Sequence, residues 1–257
     1  MTRRAVRSRS GAPSPALRIS RLESAPPRIR AIDALRGIAL CAMFIYHFAF
    51  DLRFFRMINA DFENDLWWLG FRAVIVSSFM TLVGISIVLA ESAGTGTPRF
   101  LRRLAVIALA ALGVTLGSWV MFPASFIYFG ILHCIALTSL VAWPLRRSPG
   151  IALAIGVAVV IAGLLWSSSF FDVRGWSWLG FMTHKPVTED YVPLAPWAGA
   201  TFIGIALGHA LMRANFRPVL LLDGAPAWLR WLGRHSLLVY LAHQPILIGT
   251  LWLIVGR

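Results

Sequence analysis

Seven long apolar runs, separated by short polar stretches, constrain the fold of this chain more than any other feature. They cover approximately residues 31–52, 66–90, 100–122, 125–145, 150–171, 196–212 and 236–255. A membrane-spanning helix needs about 20 apolar residues, and each run is close to that length. Of all residues 58% are hydrophobic and 14% are charged, whereas soluble domains carry about 25% charged residues. We therefore predict an all-α, polytopic transmembrane bundle of about seven spans.

Basic residues lie mainly on one side of the predicted bundle. Of 24 lysines and arginines, 18 flank the span ends that share a side with the N-terminus, and five flank the opposite ends. Cytoplasmic loops carry such an excess, so we expect the N-terminus in the cytoplasm, the C-terminus outside it, and a multi-pass protein of the inner (plasma) membrane. Contact with anionic lipid accounts for the net charge of +13. No recognition motif for nucleic acid accompanies that charge, so we expect no such partner.

Two segments outside the apolar runs carry further predictions. Residues 1–29 are rich in Arg, Ser, Pro and Ala, which predicts a disordered basic cytoplasmic tail before a transmembrane domain over 30–257. Residues 225–232 are predicted to form a short interfacial helix, which Asp223 would cap and Gly233 would end. Its Trp228 and Trp231 suit the lipid headgroup region.

Ionisable side chains within the spans identify the candidate site, because the bilayer disfavours them unless they face a cavity or one another. They are Asp33, Arg36, His47, Asp51, Arg72, His133, His209 and His243. Arg36, His47 and Asp51 recur at helical spacing on one stripe of the first helix. His209 lies near a span end, and we interpret it as structural.

His47 and Asp51 are one helical turn apart, where a carboxylate can orient an imidazole and raise its basicity. This spacing indicates a general base in the outer half of the first helix. Arg72 and His133 lie at a similar depth in their own spans. Two structural alternatives stay open: His47 with Asp51 as a packing pair, and Asp33 with Arg36 as an ion pair at the helix end.

Four motifs resemble those of known membrane acyltransferases. Arg30-x-x-Asp33-x-x-Arg36-Gly37 opens the first helix, residues 129–133 read Phe-Gly-Ile-Leu-His, and residues 193–197 read Pro-Leu-Ala-Pro-Trp. A fourth stretch runs from Gly233 to His243-Gln244-Pro245. The chain resembles bacterial surface-polysaccharide O-acyltransferases. It resembles more closely the heparan-alpha-glucosaminide N-acetyltransferase catalytic-domain family in its short bacterial form.

The resemblance implies an enzyme that takes an acetyl group from acetyl-CoA on the cytoplasmic side. It would deliver that group to an amine or hydroxyl acceptor, often a sugar, on the other side. Family enzymes use a histidine near the outer end of the first helix. Here Phe-Ala-Phe-Asp follows His47 in place of the Gly-rich stretch of the animal enzyme, so the role of His47 is inferred from its chemistry.

On this basis we assign roles to the polar residues. His47, oriented by Asp51, deprotonates the acceptor or carries the acetyl group itself, and Arg72 or His133 stabilises the developing oxyanion. The donor-binding residues are predicted to be Arg36, Arg102, Arg103, Arg234, His243 and Gln244. We expect acetyl-CoA as co-substrate, no metal, and two kinds of partner, namely membrane lipid and a glycan or other small acceptor.

Two other classes of function remain open at this point. One is an intramembrane zinc hydrolase with His47, Asp51, His133 and His243 as ligands, although the sequence lacks HxxxH and HExxH spacings. The other is a proton-coupled transporter or flippase, in which His and Asp chains also occur. The acyl group, the acceptor and the choice between direct transfer and an acyl-histidine are also open.

Overall fold

A computed structural model describes residues 29–255, which form nine α-helices joined by short turns and loops. They are α1 (Arg30–Phe54), α2 (Leu66–Ser92), α3 (Thr97–Met121), α4 (Ile131–Ala142), α5 (Pro149–Leu165), α6 (Arg174–Ser177), α7 (Trp197–Arg213), α8 (Ala227–Arg234) and α9 (Ser236–Val255). Three 3-10 turns cover Trp143–Arg147, Ser169–Asp172 and Arg217–Gly224. The tail predicted over 1–29 lies outside the described residues except for Ile29, and so does Arg257.

Among the described residues, four helices are long and apolar enough to cross a membrane, namely α1, α2, α3 and α9. Helix α5 is apolar but has only 17 residues, and α7 has the same length. Helix α4 has 12 residues and continues directly into the 3-10 turn Trp143–Arg147. The all-helical prediction is therefore confirmed for residues 29–255, while the count of seven spans and the orientation stay predictions.

Two predicted spans are longer than the helices that they contain. The fourth run was placed at 125–145, but α4 begins only at Ile131, after Gly130 in extended conformation. The fifth was placed at 150–171, but α5 ends at Leu165. Beyond it the Ser168 side chain accepts a hydrogen bond from the Phe170 amide and starts a 3-10 turn, a local bond that competes with helix continuation. Apolar composition alone does not reveal these ends.

Glycines allow α2, α5 and α7 to pack with their backbones in contact. A Cβ atom at Gly84 of α2 would lie 2.0 Å from the Thr201 carbonyl oxygen, and one at Gly204 of α7 would lie 2.3 Å from that of Thr81. Helices α5 and α7 approach each other similarly at Gly156 and Gly199. Small residues at helix interfaces are the usual means of close packing in membranes.

Helix α8 packs against the beginning of α1 in the same manner. A Cβ atom at Gly37 would lie 2.1 Å from the Leu229 carbonyl oxygen, and one at Gly233 would lie 1.8 Å from that of Asp33. Gly233 therefore lies inside α8, where the prediction had it end the helix. The predicted cap was also wrong: Asp223 accepts a hydrogen bond from the Ala31 amide at 2.9 Å, so it caps α1, and α8 begins after Pro226.

An ion-pair cluster joins the end of α2 to the turn after α4. Glu91 accepts hydrogen bonds from Arg146 and Arg147, and Arg146 also lies over the Trp143 ring. His209 of α7 hydrogen-bonds the Arg146 carbonyl oxygen at 2.8 Å, which agrees with the structural role predicted for it. These contacts fix the end of the bundle at which Arg36 also lies.

Candidate active site

Two cavities open toward opposite ends of the bundle. The arginine cavity, of about 840 Å³, lies between α1, α2, α3, α7 and the start of α9 and is lined by Arg36, Arg103 and Arg234. The histidine cavity, of about 430 Å³, lies between α1, α2 and the loop before α7, and its lining includes His47 and Arg72. Helix α1 passes from one cavity to the other.

Arg36 is held in the wall of the arginine cavity by two helices. Its guanidinium donates to Asp33 of α1 at 2.9 Å and to the Ser86 hydroxyl of α2 at 2.7 Å. The Arg36 side chain is still 20% exposed, whereas that of Asp33 is only 6% exposed. The ion pair considered as a structural alternative is therefore present. It also orients Arg36 beside the cavity, so the two interpretations are compatible.

The arginines predicted to bind the donor do not all lie together. Arg103 and Arg234 are exposed and line the arginine cavity with Arg36. Arg102 is exposed on α3 but is not part of that lining, because adjacent residues on a helix point about 100° apart. Of the two neighbours, the structure brings Arg103 and not Arg102 to the cavity.

His243 and Gln244, predicted to bind the donor, also lie away from the arginine cavity. Helix α9 begins at Ser236 beside that cavity, and His243 follows seven residues later, about 10 Å along the axis. There its ring contacts His47, with 4.9 Å between the centroids. The structure therefore groups His243 and Gln244 with the residues predicted for catalysis.

Asp51 is bonded to α9 and not to His47. Its Oδ1 atom accepts a hydrogen bond from the Gln244 side-chain amide at 3.1 Å, and within residues 29–255 no hydrogen bond joins it to His47 or Arg72. The His47 ring instead packs edge-on against Tyr46 and His243. The expectation that Asp51 orients His47 directly is thus not what the structure shows: the hydrogen bond of this carboxylate goes to a side chain of another helix.

His133 lies outside the lining of the histidine cavity and holds the beginning of α4. Its Nδ1 atom accepts from the Gly130 amide at 3.2 Å, and its Nε2 atom lies 3.1 Å from the Thr115 hydroxyl of α3. Nδ1 thus caps α4 itself, and Nε2 joins α4 to α3. This geometry assigns His133 a capping function at the beginning of α4.

The loop before α7 forms one wall of the histidine cavity. Arg72 of α2 donates a hydrogen bond to the Tyr191 carbonyl oxygen. The Asp190 carboxylate accepts from the Ile131 amide at 3.0 Å, at the N-terminus of α4. A Cβ atom at Gly130 would lie 2.3 Å from Asp190 Oδ2, so only glycine permits this approach. The loop is therefore anchored to both α2 and α4.

Several polar residues of this cavity were not among the predicted site residues. Asp190 faces the Tyr240 hydroxyl of α9, and Lys185 also lines the cavity. Lys185 is exposed, but desolvation by the surrounding loop, followed by the nearby Arg72 guanidinium, lowers its pKa below that of an ordinary lysine. The adjacent acids Glu189 and Asp190 in the longest loop are a sequence signal that could have pointed here.

A mostly apolar layer separates the two cavities along α1 and α2. Leu40 of α1 and Met80 of α2 are completely buried between them. On α9, Leu237 lines the arginine cavity and Tyr240 lines the histidine cavity, a separation of about 4.5 Å along the helix axis. A ligand that displaced this layer would connect the two ends of the bundle.

The described part of the chain contains no group of three or more His, Cys, Asp or Glu side chains that could hold a metal ion. In particular, the four ligands considered for a zinc hydrolase do not come together. His47 and His243 are in contact, but Asp51 is paired with Gln244 and His133 with Thr115.

Comparison with known proteins assigns the chain to a family. No curated protein and no solved structure matches it. A sequence model described as heparan-alpha-glucosaminide N-acetyltransferase, catalytic, matches residues 28–245. This range contains every residue that lines the arginine and histidine cavities, together with His243 and Gln244. Because the match covers most of the chain, the protein belongs to the heparan-alpha-glucosaminide N-acetyltransferase catalytic family and is a membrane acetyltransferase by that membership.

Proposed function

We propose that the protein transfers an acetyl group from acetyl-CoA, bound in the arginine cavity, to an amine or hydroxyl acceptor, such as a sugar, bound in the histidine cavity. The observation that carries this proposal is that α1 lines both cavities, with Arg36 in one and His47 in the other. The two residues are eleven positions apart, about 16 Å along the helix. Leu40 and Met80, which are completely buried, are among the apolar residues between them.

The arginine cavity has the chemistry that a nucleotide with several phosphates requires. Guanidinium groups bind phosphate oxygens through paired, charge-assisted hydrogen bonds, and Arg36, Arg103 and Arg234 surround this space. Arg36 is also pre-oriented by Ser86, which reduces the entropy lost on binding. The acyl arm of the donor would extend along α1 past Leu40 toward His47.

The histidine cavity suits a small polar acceptor with flat apolar faces. Aromatic side chains and a few polar groups are the usual lining of small-molecule sites. The aromatic residues here are Tyr46, Phe50, Phe62, Phe79, Tyr191 and Tyr240. The charged residues are Arg53, Glu63, Arg72, Lys185, Glu189 and Asp190, which offer hydrogen bonds to hydroxyl and amine groups.

His47 is the group that we assign to the chemical step. It would take the proton of the attacking amine or hydroxyl as that group bonds to the thioester carbon, and the CoA thiolate would leave. Arg72, which lines the same cavity, would stabilise the negative charge that develops on the carbonyl oxygen. Transfer through an acetyl-histidine would use the same residue as nucleophile.

The proposal is tested with purified protein in vesicles that contain labelled acetyl-CoA inside or outside, together with a panel of amino sugars and glycans. We expect labelled acceptor only when donor and acceptor are on opposite sides. Arg36→Ala should weaken donor binding and His47→Ala should abolish transfer. Arg99→Ala removes an exposed charge from α3 outside the cavity lining and serves as the control. The proposal would be contradicted if no acceptor became labelled and CoA did not raise the melting temperature.

A further inference from the structure

Six charged side chains line the histidine cavity, and in the part of the chain that the structure describes none of them forms an ion pair. The cations are Arg53, Arg72 and Lys185, and the acids are Glu63, Glu189 and Asp190. The ion pairs of this part of the chain lie elsewhere and join Asp33 to Arg36, Glu91 to Arg146 and Arg147, and Asp172 to His184. Charged groups that are withdrawn from water are usually paired. The cavity therefore offers charge to a ligand, and the other contacts of these side chains decide the sign of that ligand.

The acids of the cavity are used to hold the loop before α7. Glu189 accepts a hydrogen bond from the Ser125 hydroxyl, and its amide donates to the Ser125 carbonyl oxygen at 2.9 Å. Asp190 accepts from the Ile131 amide at 3.0 Å. The third acid, Glu63, is exposed. The side chains of Arg53 and Lys185, by contrast, donate no hydrogen bond to any described residue, so the protein itself supplies these two cations with no acceptor.

The loop presents Lys185 from an anchored backbone. The amide and the hydroxyl of Thr183 both donate to the Asp172 carboxylate, at 2.7 Å and 2.8 Å. The Thr188 hydroxyl donates to the Phe126 carbonyl oxygen at 2.9 Å. These bonds lie two residues before Lys185 and three residues after it. Although the lysine is exposed, the loop thus limits where its ammonium group can lie, which reduces the entropy lost when a ligand binds.

The electrostatic surroundings of Lys185 also favour an anion. Desolvation, followed by the Arg72 guanidinium, lowers the pKa of Lys185, although Glu63, Asp190 and Glu189 act in the opposite direction. The acids of the cavity therefore do not fully compensate for the loss of solvent and the nearby cation. A bound anion would add to that compensation, because an opposite charge stabilises the ammonium form.

Arg53 places a second cation at a defined distance from the proposed base. It follows His47 by six residues on α1, about 9 Å along the axis, and both residues line the cavity. Arg36 precedes His47 on the same helix, so Arg53 lies on the side of His47 that is away from the arginine cavity. An acceptor whose reacting group lies at His47 can therefore place its far end beside Arg53. Guanidinium and ammonium groups bind phosphate and carboxylate oxygens through charge-assisted hydrogen bonds.

We propose that the acceptor carries a phosphate or carboxylate group, and that Arg53 and Lys185 bind this group while the amine or hydroxyl faces His47. This inference rests on the proposed function and names the chemical class of its acceptor. Arg72 is hydrogen-bonded to the Tyr191 carbonyl oxygen and keeps its role at the acetyl group. The anionic group takes no part in the chemical step; it determines which acceptor binds and how that acceptor is oriented.

The first test measures binding in the absence of acetyl-CoA. Melting temperatures of the purified protein are compared in glucosamine and glucosamine 6-phosphate, and in glucose and glucuronate. We expect the sugar with the anionic group to raise the melting temperature at concentrations at which its partner does not, and the two pairs distinguish phosphate from carboxylate. In Lys185→Gln and in Arg53→Gln the dissociation constant of that sugar should rise by about tenfold. Equal shifts by the two members of each pair, or no shift by either anionic sugar, would overturn the inference.

Two further variants locate the anion. Arg56→Gln removes an exposed charge that lies three residues after Arg53 and outside the lining of the histidine cavity, so the shift should persist. Arg103→Ala alters the arginine cavity, and the shift should persist there as well. If either variant lost the shift, the anionic group would bind elsewhere and the inference would be wrong.

The second test uses the transfer reaction with the anionic sugar as acceptor. Lys185→Gln should raise the KM for this acceptor by about tenfold and change kcat less, because the lysine contributes to binding and not to the chemical step. Lys185→Arg keeps the charge and should restore most of the KM. Transfer with equal KM for the two members of each pair would overturn the inference and leave the proposed function intact. If the anionic sugars bind but none becomes acetylated, the anion site is supported and the proposed function fails.

Discussion

Gln244 donates a hydrogen bond to Asp51 across 3.1 Å and so joins the last helix of the bundle to the first, one turn beyond His47. Asp51 is almost fully buried, so this amide is the only compensation that the described residues give its carboxylate. The bond therefore helps to hold α1 and α9 together beside the histidine cavity.

Gln244→Ala should lower the stability of the protein by about 1–3 kcal/mol, the cost of leaving a buried polar group without a partner. The loss is measured as a lower melting temperature in detergent. Replacing both residues, Asp51→Leu with Gln244→Leu, removes the unpaired group together with its partner and should recover part of the loss. If the Gln244→Ala variant has the same melting temperature as the wild type, the hydrogen bond does not stabilise the helix contact.

The lining of the arginine cavity predicts that substituting two adjacent arginines has different effects on CoA binding. Arg103→Ala should reduce the rise in melting temperature that CoA causes, because Arg103 lines the cavity. Arg102→Ala should leave that rise unchanged, since Arg102 lies outside the lining. Both variants lose one exposed charge from the same helix, so each controls for the other. Equal effects of the two variants would mean that CoA does not bind at this cavity.

The sequence predicted correctly those features that depend on local spacing. The length of the apolar runs is a property of each segment, and α1, α2, α3 and α9 follow it closely. The stripe from Arg36 to His47 also lies within one helix, so the periodicity of α1 suffices to place both residues on cavities. Such predictions need no knowledge of how the helices pack.

The sequence failed where a partner comes from a distant segment. Asp51 was paired with His47 because they are one turn apart, but its partner Gln244 is 193 residues away. Asp223 was assigned to the helix that follows it and instead caps α1, 192 residues earlier. Asp190 was missed because only the folded loop brings it to α4 and Tyr240. Tertiary packing decides each of these contacts.

Gly130→Ala should displace Asp190 from the N-terminus of α4, because the new methyl group would lie 2.3 Å from Asp190 Oδ2. We expect a lower melting temperature and a loss of acetyl transfer, as the loop forms one wall of the histidine cavity. Gly117→Ala in α3 is the matched control, since nothing lies within 4 Å of the added atom. It should be neutral or stabilise by up to about 1 kcal/mol. Unaltered stability and transfer in Gly130→Ala would show that the loop does not need this anchor.

The lowered pKa of Lys185 predicts that the stability of the protein depends on pH. Desolvation and Arg72 lower its pKa in the folded protein, so above that pKa the unfolded chain binds more protons than the folded one. Stability should therefore rise with pH between the lowered pKa and the ordinary value of 10.5. Lys185→Met should remove this rise from a series of melting curves over that range. A pH profile that is identical in the variant would mean that the folded protein does not disfavour the charged lysine.

His47→Ala should abolish acetyl transfer and leave the protein folded, with the melting-temperature shift by CoA nearly intact, because His47 and the arginine cavity lie at opposite ends of α1. Asp51→Asn should reduce transfer less, since the new amide oxygen can still accept from Gln244 and no hydrogen bond within residues 29–255 joins Asp51 to His47. General-base residues contribute about 100- to 10,000-fold, so the two variants are separable in one assay. A packing role for His47 predicts the opposite pattern, in which stability falls and the folded fraction turns over normally. Near-normal specific activity of folded His47→Ala protein would therefore remove His47 from the chemical step.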